Sequence, residues 1–220
     1  MKFRVFAGMC LGLGLFAYVS ASAFSGDDKP VPAGGMPQMT PDMLAHMQEC
    51  MKNMSPSEHH KLLERSVGTW KTTTKMWMMG EAGGPPMVTG GTAEMKMVLG
   101  GRYLMQEFKG VMKMPNEKGE FSEIPHEGIG LTGYDNDRNL YVGTWASSPG
   151  TALLNMRGSA SRDGKSITFY GEMDEPFMKV FGRYVKYVLK FVSNDQIVFS
   201  IYDLHAGDDY KVVEVVYDRK

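Results

Sequence analysis

Thr92-Ala93-Glu94-Met95-Lys96-Met97-Val98-Leu99-Gly100-Gly101-Arg102 is the stretch on which the fold turns. Ala93, Met95, Met97 and Leu99 alternate with Thr92, Glu94, Lys96 and Val98. That is the period of two expected of a strand buried on one face, with Val98 the single lapse. Gly100-Gly101 supplies the turn chemistry of a tight hairpin, and Arg102–Met112 reads as the returning strand. Outward from this hairpin the same rhythm recurs. Thr72-Thr73-Thr74 and Trp77 favour strand on the N-terminal side. On the other side come Gly128–Tyr134, Leu140–Trp145, Thr151–Arg157 and Ser166–Glu172. Val185, Tyr187, Leu189 and Phe191 mark a further strand, and Ile197–Leu204 and Tyr210–Tyr217 finish the chain. Polar and glycine-rich clusters separate them at 135–139, 162–165, 193–195 and 206–209. About ten sequential strands joined by short hairpins have two edges to protect, and closure into a barrel removes both. The expected fold is mainly β, an antiparallel up-and-down barrel whose last strand, near Val215, bonds to the first, near Lys71. A twisted open sheet or a sandwich is the alternative.

Before the strands the period changes. Thr40-Pro41-Asp42 is a helix start, and Met43, Met47, Cys50, Met51 and Met54 recur at spacings of three and four, one helical stripe. Ser55-Pro56-Ser57-Glu58 reads as a capping box for a second helix with Leu62, Leu63 and Val67 on its apolar side. Lys2 and Arg4, the apolar run Val5–Val19 and Ala21-Ser22-Ala23 form a secretory signal cleaved after Ala23. The apolar run falls short of the roughly 20 residues that span a bilayer. The expected organisation is a signal peptide over 1–23, a flexible leader over 24–40, Met-rich and capped helices over 41–67 and a barrel over 68–220. The exported chain keeps one cysteine, Cys50, so it forms no internal disulfide.

The chain has 220 residues with a formal net charge of −1, so it has no cationic surplus to neutralise phosphates, and nucleic acid is not an expected partner. Hydrophobic residues at 43% and charged residues at 22% place it among globular proteins. Gly128-x-Gly130-x-x-Gly133 matches the dinucleotide fingerprint only formally, since a turn and a strand follow it where a helix is needed. These glycines read instead as bending points of a tight barrel. Asp135-x-Asp137-x-Asn139 resembles the start of a calcium loop, but Leu140 and Ala146 stand where glycine and glutamate belong, so a hairpin turn is expected. Gly-x-Ser-x-Gly and His-Glu-x-x-His are both missing. Glu58-His59-His60 comes nearest and reads as a solvated first helical turn. Glu107, Glu127, His126 and His205 fall in or near strands, so an acid–base pair assembled in space remains the enzymatic alternative. Asn53-Met54-Ser55 is a glycosylation sequon by pattern, with Pro56 directly after it.

Several strings together resemble a known bacterial family, that of domain of unknown function 1579. They are Gly68-Thr69-Trp70 after a helix carrying Glu58-His59, Leu99-Gly100-Gly101-Arg102, Gly128-Ile129-Gly130 running into Gly133-Tyr134-Asp135, Tyr141-Val142-Gly143-Thr144-Trp145 and Tyr217-Asp218-Arg219-Lys220. The resemblance covers about Ser55 to Lys220 and brings no activity with it. Gly-x-Trp with a late arginine also resembles lipocalins and their calycin relatives, haem-binding nitrobindin-like barrels among them. That likeness implies a lipocalin-like barrel with Trp70 closing its base against Arg219, a cation over an aromatic face. Ala146-Ser147-Ser148 departs from the acidic residue common after the family's tryptophan, and the methionine helix before Ser55 is an addition.

A barrel of this size either fills its interior or holds one small ligand. Trp70, Trp77, Tyr103, Phe108, Tyr134, Trp145, Tyr187 and Phe199 all fall in expected strands, and alternation should turn at most about half of them inward. The leading expectation is an exported, non-enzymatic barrel that binds a small apolar molecule, with Trp70, Arg102, Tyr103, Tyr134, Trp145 and Arg219 as candidate binding residues. Arg102 or Arg183 would serve as polar anchor. Haem would require an axial histidine, His126 or His205. The alternative is Cu(I) or redox handling by Met43, His46, Met47, Cys50 and Met51, whose soft donors share a helical face. Against it stands plain packing of that stripe on the barrel or on a partner.

Overall fold

The computed structural model describes residues 39–175 and 179–220. The expected signal peptide, Cys10 and nearly all of the leader lie outside the described residues. Ten strands follow two helices: β1 (Gly68–Met76), β2 (Met87–Val98), β3 (Tyr103–Pro115), β4 (Phe121–Asp135), β5 (Leu140–Ser147), β6 (Leu154–Ala160), β7 (Ser166–Glu175), β8 (Val180–Phe191), β9 (Gln196–Asp203) and β10 (Lys211–Arg219). Each pairs antiparallel with its neighbour in sequence, and β10 pairs with β1 to close the barrel. Lys71 lies opposite Asp218 and Thr74 opposite Val215. Closure leaves no free edge for another chain to extend.

Strand lengths differ from the sequence reading where a residue punctuates locally but not structurally. β4 begins at Phe121 rather than Gly128, because Val111 to Pro115 continue the ladder against Pro125 to Phe121. β5 joins β4 only from Gly128 onward, so Pro125 sits where the strand has a single neighbour and a missing N–H is tolerated. β1 ends at Met76, so Trp77, Met78 and Met79 belong to the following loop rather than to a strand.

The register fixes the inward face. Trp70 opposes Ala93, Ala93 opposes Phe108, and Phe108 opposes Gly128, one ring of positions around the wall. Alternation from there turns Trp70, Phe108, Tyr134, Trp145, Tyr187 and Phe199 inward, more than half of the expected aromatics. Tyr103 points outward, and its ring covers Gly133. The glycines of the apparent fingerprint have a different purpose from bending. A Cβ on Gly128 or Gly130 would collide with the indole of Trp145 on β5, so these residues make room for a ring.

Helices α1 (Pro41–Asn53) and α2 (Glu58–Glu64) precede the barrel. The cap of α2 is Ser57 with His60, not Ser55 with Glu58: the Ser57 N–H donates to His60 Nδ1 at 2.9 Å. His60 is buried rather than solvated, and Leu63 is fully buried in the core beside the barrel residues. Straps fix the helical segment in place. Tyr141 Oη donates to the His59 carbonyl (3.0 Å), Arg65 to that of Gly164 (2.9 Å), Arg102 to that of Met54 (2.9 Å), and Asn136 to those of Asn53 and Ser55. α1 buries none of its residues, so its methionine stripe does not pack on the barrel. Among the described residues no helix is long and apolar enough to cross a membrane.

Candidate functional site

Up-and-down connectivity gives the barrel two different ends. At one end, Trp70 lies fully buried at the base, its indole N–H donating to the Ser66 carbonyl at 2.9 Å. The Arg219 guanidinium stacks on the ring at 4.1 Å and donates to the carbonyls of Asn194, Val67 and Arg65. The segment Arg65–Val67 between α2 and β1 and the last strand are thereby closed into a floor, with Leu63, Phe191, Ile197 and Tyr217 completing it.

Above the floor the interior turns polar in a few places. Gln106 on β3 reaches across to Tyr217 on β10, its amide donating to the phenol oxygen at 3.2 Å. Thr72 lies opposite Tyr217, and its hydroxyl is buried without a partner among the described residues. Tyr187, stacked on Phe199 at 6.0 Å, is likewise unpartnered at its buried hydroxyl. Burial pushes the Tyr187 phenol up to about 12, so it stands there as a neutral donor. Neither the Thr72 nor the Tyr187 hydroxyl has a protein partner, and a buried group left unsatisfied costs about 1–3 kcal/mol.

Towards the opposite end the inward residues become half-exposed: Thr74, Met112, His126, Trp145, Met173 and Val213. This is the mouth. Arg183 and Asp203 form an ion pair there at 2.5 Å, with Arg183 Nε buried and unpartnered. His126 faces the edge of Phe108 at 5.1 Å, and burial lowers its basicity.

The candidate residues separate into distinct places. Trp70 and Arg219 meet at the floor, where the arginine is occupied by backbone carbonyls. Arg102 and Tyr103 lie outside the barrel, in a cleft of about 230 Å³ beneath the α1–α2 linker that Asn53, His60 and Tyr134 also line. Arg102 is therefore a strap for the linker and does not reach the interior. Tyr134 stacks against His59 at 4.1 Å. Trp145 alone stands on the upper wall. Of the two candidate haem ligands, His205 is an exposed turn residue beside Asp203, whereas His126 faces inward. On α1, Cys50 Sγ lies 3.8 Å from His46 Nε2, and Met43, Met47 and Met51 are exposed. No three His, Cys, Asp or Glu side chains converge as a metal site among the described residues. Sequence reasoning missed Thr72, Gln106 and Tyr217, because their common level follows only from closure. It gave His126 no face, because the strand read from the sequence began at Gly128, two residues beyond it, whereas β4 begins at Phe121.

His60, buried, and His126, half-buried, give stability a pH dependence. Burial is the main cause that lowers His60, with the charges of His59 and Arg102 adding to it, and burial alone lowers His126. Below their ordinary value of 6.5 the unfolded chain takes up protons that the folded chain refuses. Their contribution is therefore complete above that pH and is lost as pH falls through it. Urea midpoints are expected to drop between pH 7.5 and pH 5, and His126→Gln is expected to flatten the dependence. Equal midpoints at the two pH values would contradict this reading.

A family model described as "Protein of unknown function (DUF1579)" matches residues 55–219. Curated proteins give no match. Among solved structures the chain is similar to an S-type phycobiliprotein lyase from Guillardia theta, at 12% identity over 74% of this chain and 93% of that one, with a TM-score of 0.47. It is also similar to a redesigned β-barrel, at 16% identity over 76% of this chain and 98% of that one, with a TM-score of 0.33.

Proposed function

The chain belongs to the DUF1579 family, and from that premise we propose that it is an exported, non-enzymatic barrel that takes a small, mainly apolar molecule carrying a polar group into its interior. The observation that carries this reading is the Tyr187 hydroxyl, buried and unpartnered on the inward face above a closed floor. A donor left in that state is stabilised by an incoming acceptor, while Phe199, Trp145 and the inward methionines supply apolar wall. The inward ionisable groups favour binding over catalysis. Asp203 is neutralised by Arg183, and His126 faces an aromatic ring instead of a carboxylate. Export rests on the N-terminal charge, apolar run and Ala-x-Ala site of the sequence.

Native mass spectrometry of the protein recovered from its host envelope is expected to show an organic adduct, and haem would be recognised there by its mass. Tyr187→Phe separates binding from folding. It is expected to stabilise the empty protein by about 1 kcal/mol, because an unsatisfied group disappears. The same change should weaken the adduct about tenfold. A variant that is destabilised and fully loaded would overturn the reading, as would a wild-type protein that carries no adduct. Recovery of the folded protein from the cytoplasm with residues 1–23 still attached would refute export.

A further inference from the structure

The loop between β1 and β2 stands at the mouth and is unusual in composition: Met76-Trp77-Met78-Met79-Gly80 returns to Met87. Met76 and Met87 are directly opposed across the β1–β2 ladder, which places their side chains on one face as neighbours. With Met78 and Met79 they line a cleft of about 120 Å³ beside Trp77. The remaining lining residues are Gly80, Gly83, Gly84 and Pro85, so the only side-chain donors there, besides the indole, are four thioethers.

The loop is braced. Trp77 donates its backbone N–H to the Val212 carbonyl at 2.9 Å and is itself buried. Gly80 has φ of 71°, and a Cβ there would stand 2.6 Å from the ring of Tyr210, so glycine is required both by conformation and by close approach. Lys211 lies 5.4 Å from the Trp77 ring and pairs with Glu81 (3.2 Å) and Glu214 (2.8 Å), the latter shared with Lys75 (2.9 Å). On this fixed support Met78 and Met79 are 69% and 72% exposed. Side chains placed for packing would be covered, and these two are not.

Thioethers are soft, uncharged donors that favour Cu(I) over zinc, calcium or magnesium. We propose that Met76, Met78, Met79 and Met87 form a thioether site for a soft monovalent cation, Cu(I), at the mouth of the barrel. The site is separate from the donors on α1. An ion seated there would bridge the two strands and the loop between them.

The test uses the full exported chain with its methionine methyl groups labelled with 13C, titrated with Ag(I) as a diamagnetic probe and with Cu(I) in competition with bicinchoninate. The methyl signals of Met76, Met78, Met79 and Met87 are expected to shift together at one equivalent in the wild-type protein. Met78→Leu with Met79→Leu keeps apolar volume and removes sulfur. It should leave the thermal midpoint unchanged and lower Ag(I) affinity at least about tenfold. Met43→Leu, Met47→Leu and Cys50→Ser together should leave the mouth signals responsive. Shifts confined to the α1 methionines would overturn the proposal, as would equal affinity in the Met78/Met79 leucine variant. The wild-type spectrum decides the matter even if a variant folds poorly.

Discussion

Trp70→Ala is expected to cost about 3–5 kcal/mol of unfolding free energy, the range for truncating a large buried aromatic. Three losses coincide in that one substitution. The fully buried indole leaves a cavity in the floor, the Ser66 carbonyl loses its 2.9 Å donor, and Arg219 loses the ring on which it stacks. Trp70→Phe refills most of the volume and isolates the lost hydrogen bond, so its cost should be nearer 1 kcal/mol. Urea denaturation of both variants measures the difference. A loss below about 1 kcal/mol for the alanine variant would show that the floor closes without this residue.

Gly158→Val is expected to be at least as damaging. Gly158 on β6 lies between Tyr141 on β5 and Phe169 on β7, whose rings meet edge to face at 6.4 Å. A Cβ at this position would fall against the Thr168 carbonyl and the Phe169 Cα, which are backbone atoms and cannot rotate away. Overpacking typically costs 1–3 kcal/mol, and a collision with backbone in the middle of a ladder should exceed about 3 kcal/mol. The β6–β7 pairing would have to open, interrupting the closed wall. Amide exchange should locate the damage in Met156–Ala160 and Ile167–Gly171. A variant with native stability and full protection there would show that β6 can shift away from β7 at little cost.

Both substitutions act on positions whose importance differs in visibility. Trp70 was legible from its Gly-x-Trp string and from the likeness that pairs it with Arg219, and the two residues do meet. Gly158 carried no local signal, since it lies inside an ordinary-looking run, Arg157-Gly158-Ser159. The candidate binding set was legible only in part. Arg102 and Tyr103 follow a strong turn motif, but the motif says nothing about face, and the register turns Tyr103 outward and leaves Arg102 at the helix linker. Likewise the fingerprint-like glycines were recognisable as glycines of a sheet, yet the ring of Trp145 that needs them belongs to another strand.

Alternation, turn chemistry and helix starts are properties of consecutive residues, and by themselves they determined the number of strands, their antiparallel succession and the helical lead-in. Closure followed from the same information, because a run of hairpins with two unprotected edges has few other stable outcomes. Only the tertiary structure decided what shares a level inside the barrel. Gln106 and Tyr217 are 111 residues apart in the chain, and Thr72 meets Tyr217 only because β10 closes on β1. Their meeting depends on strand register summed around the whole ring. A shift of one residue anywhere in that sum would exchange the inward and outward faces, and no local pattern encodes the total.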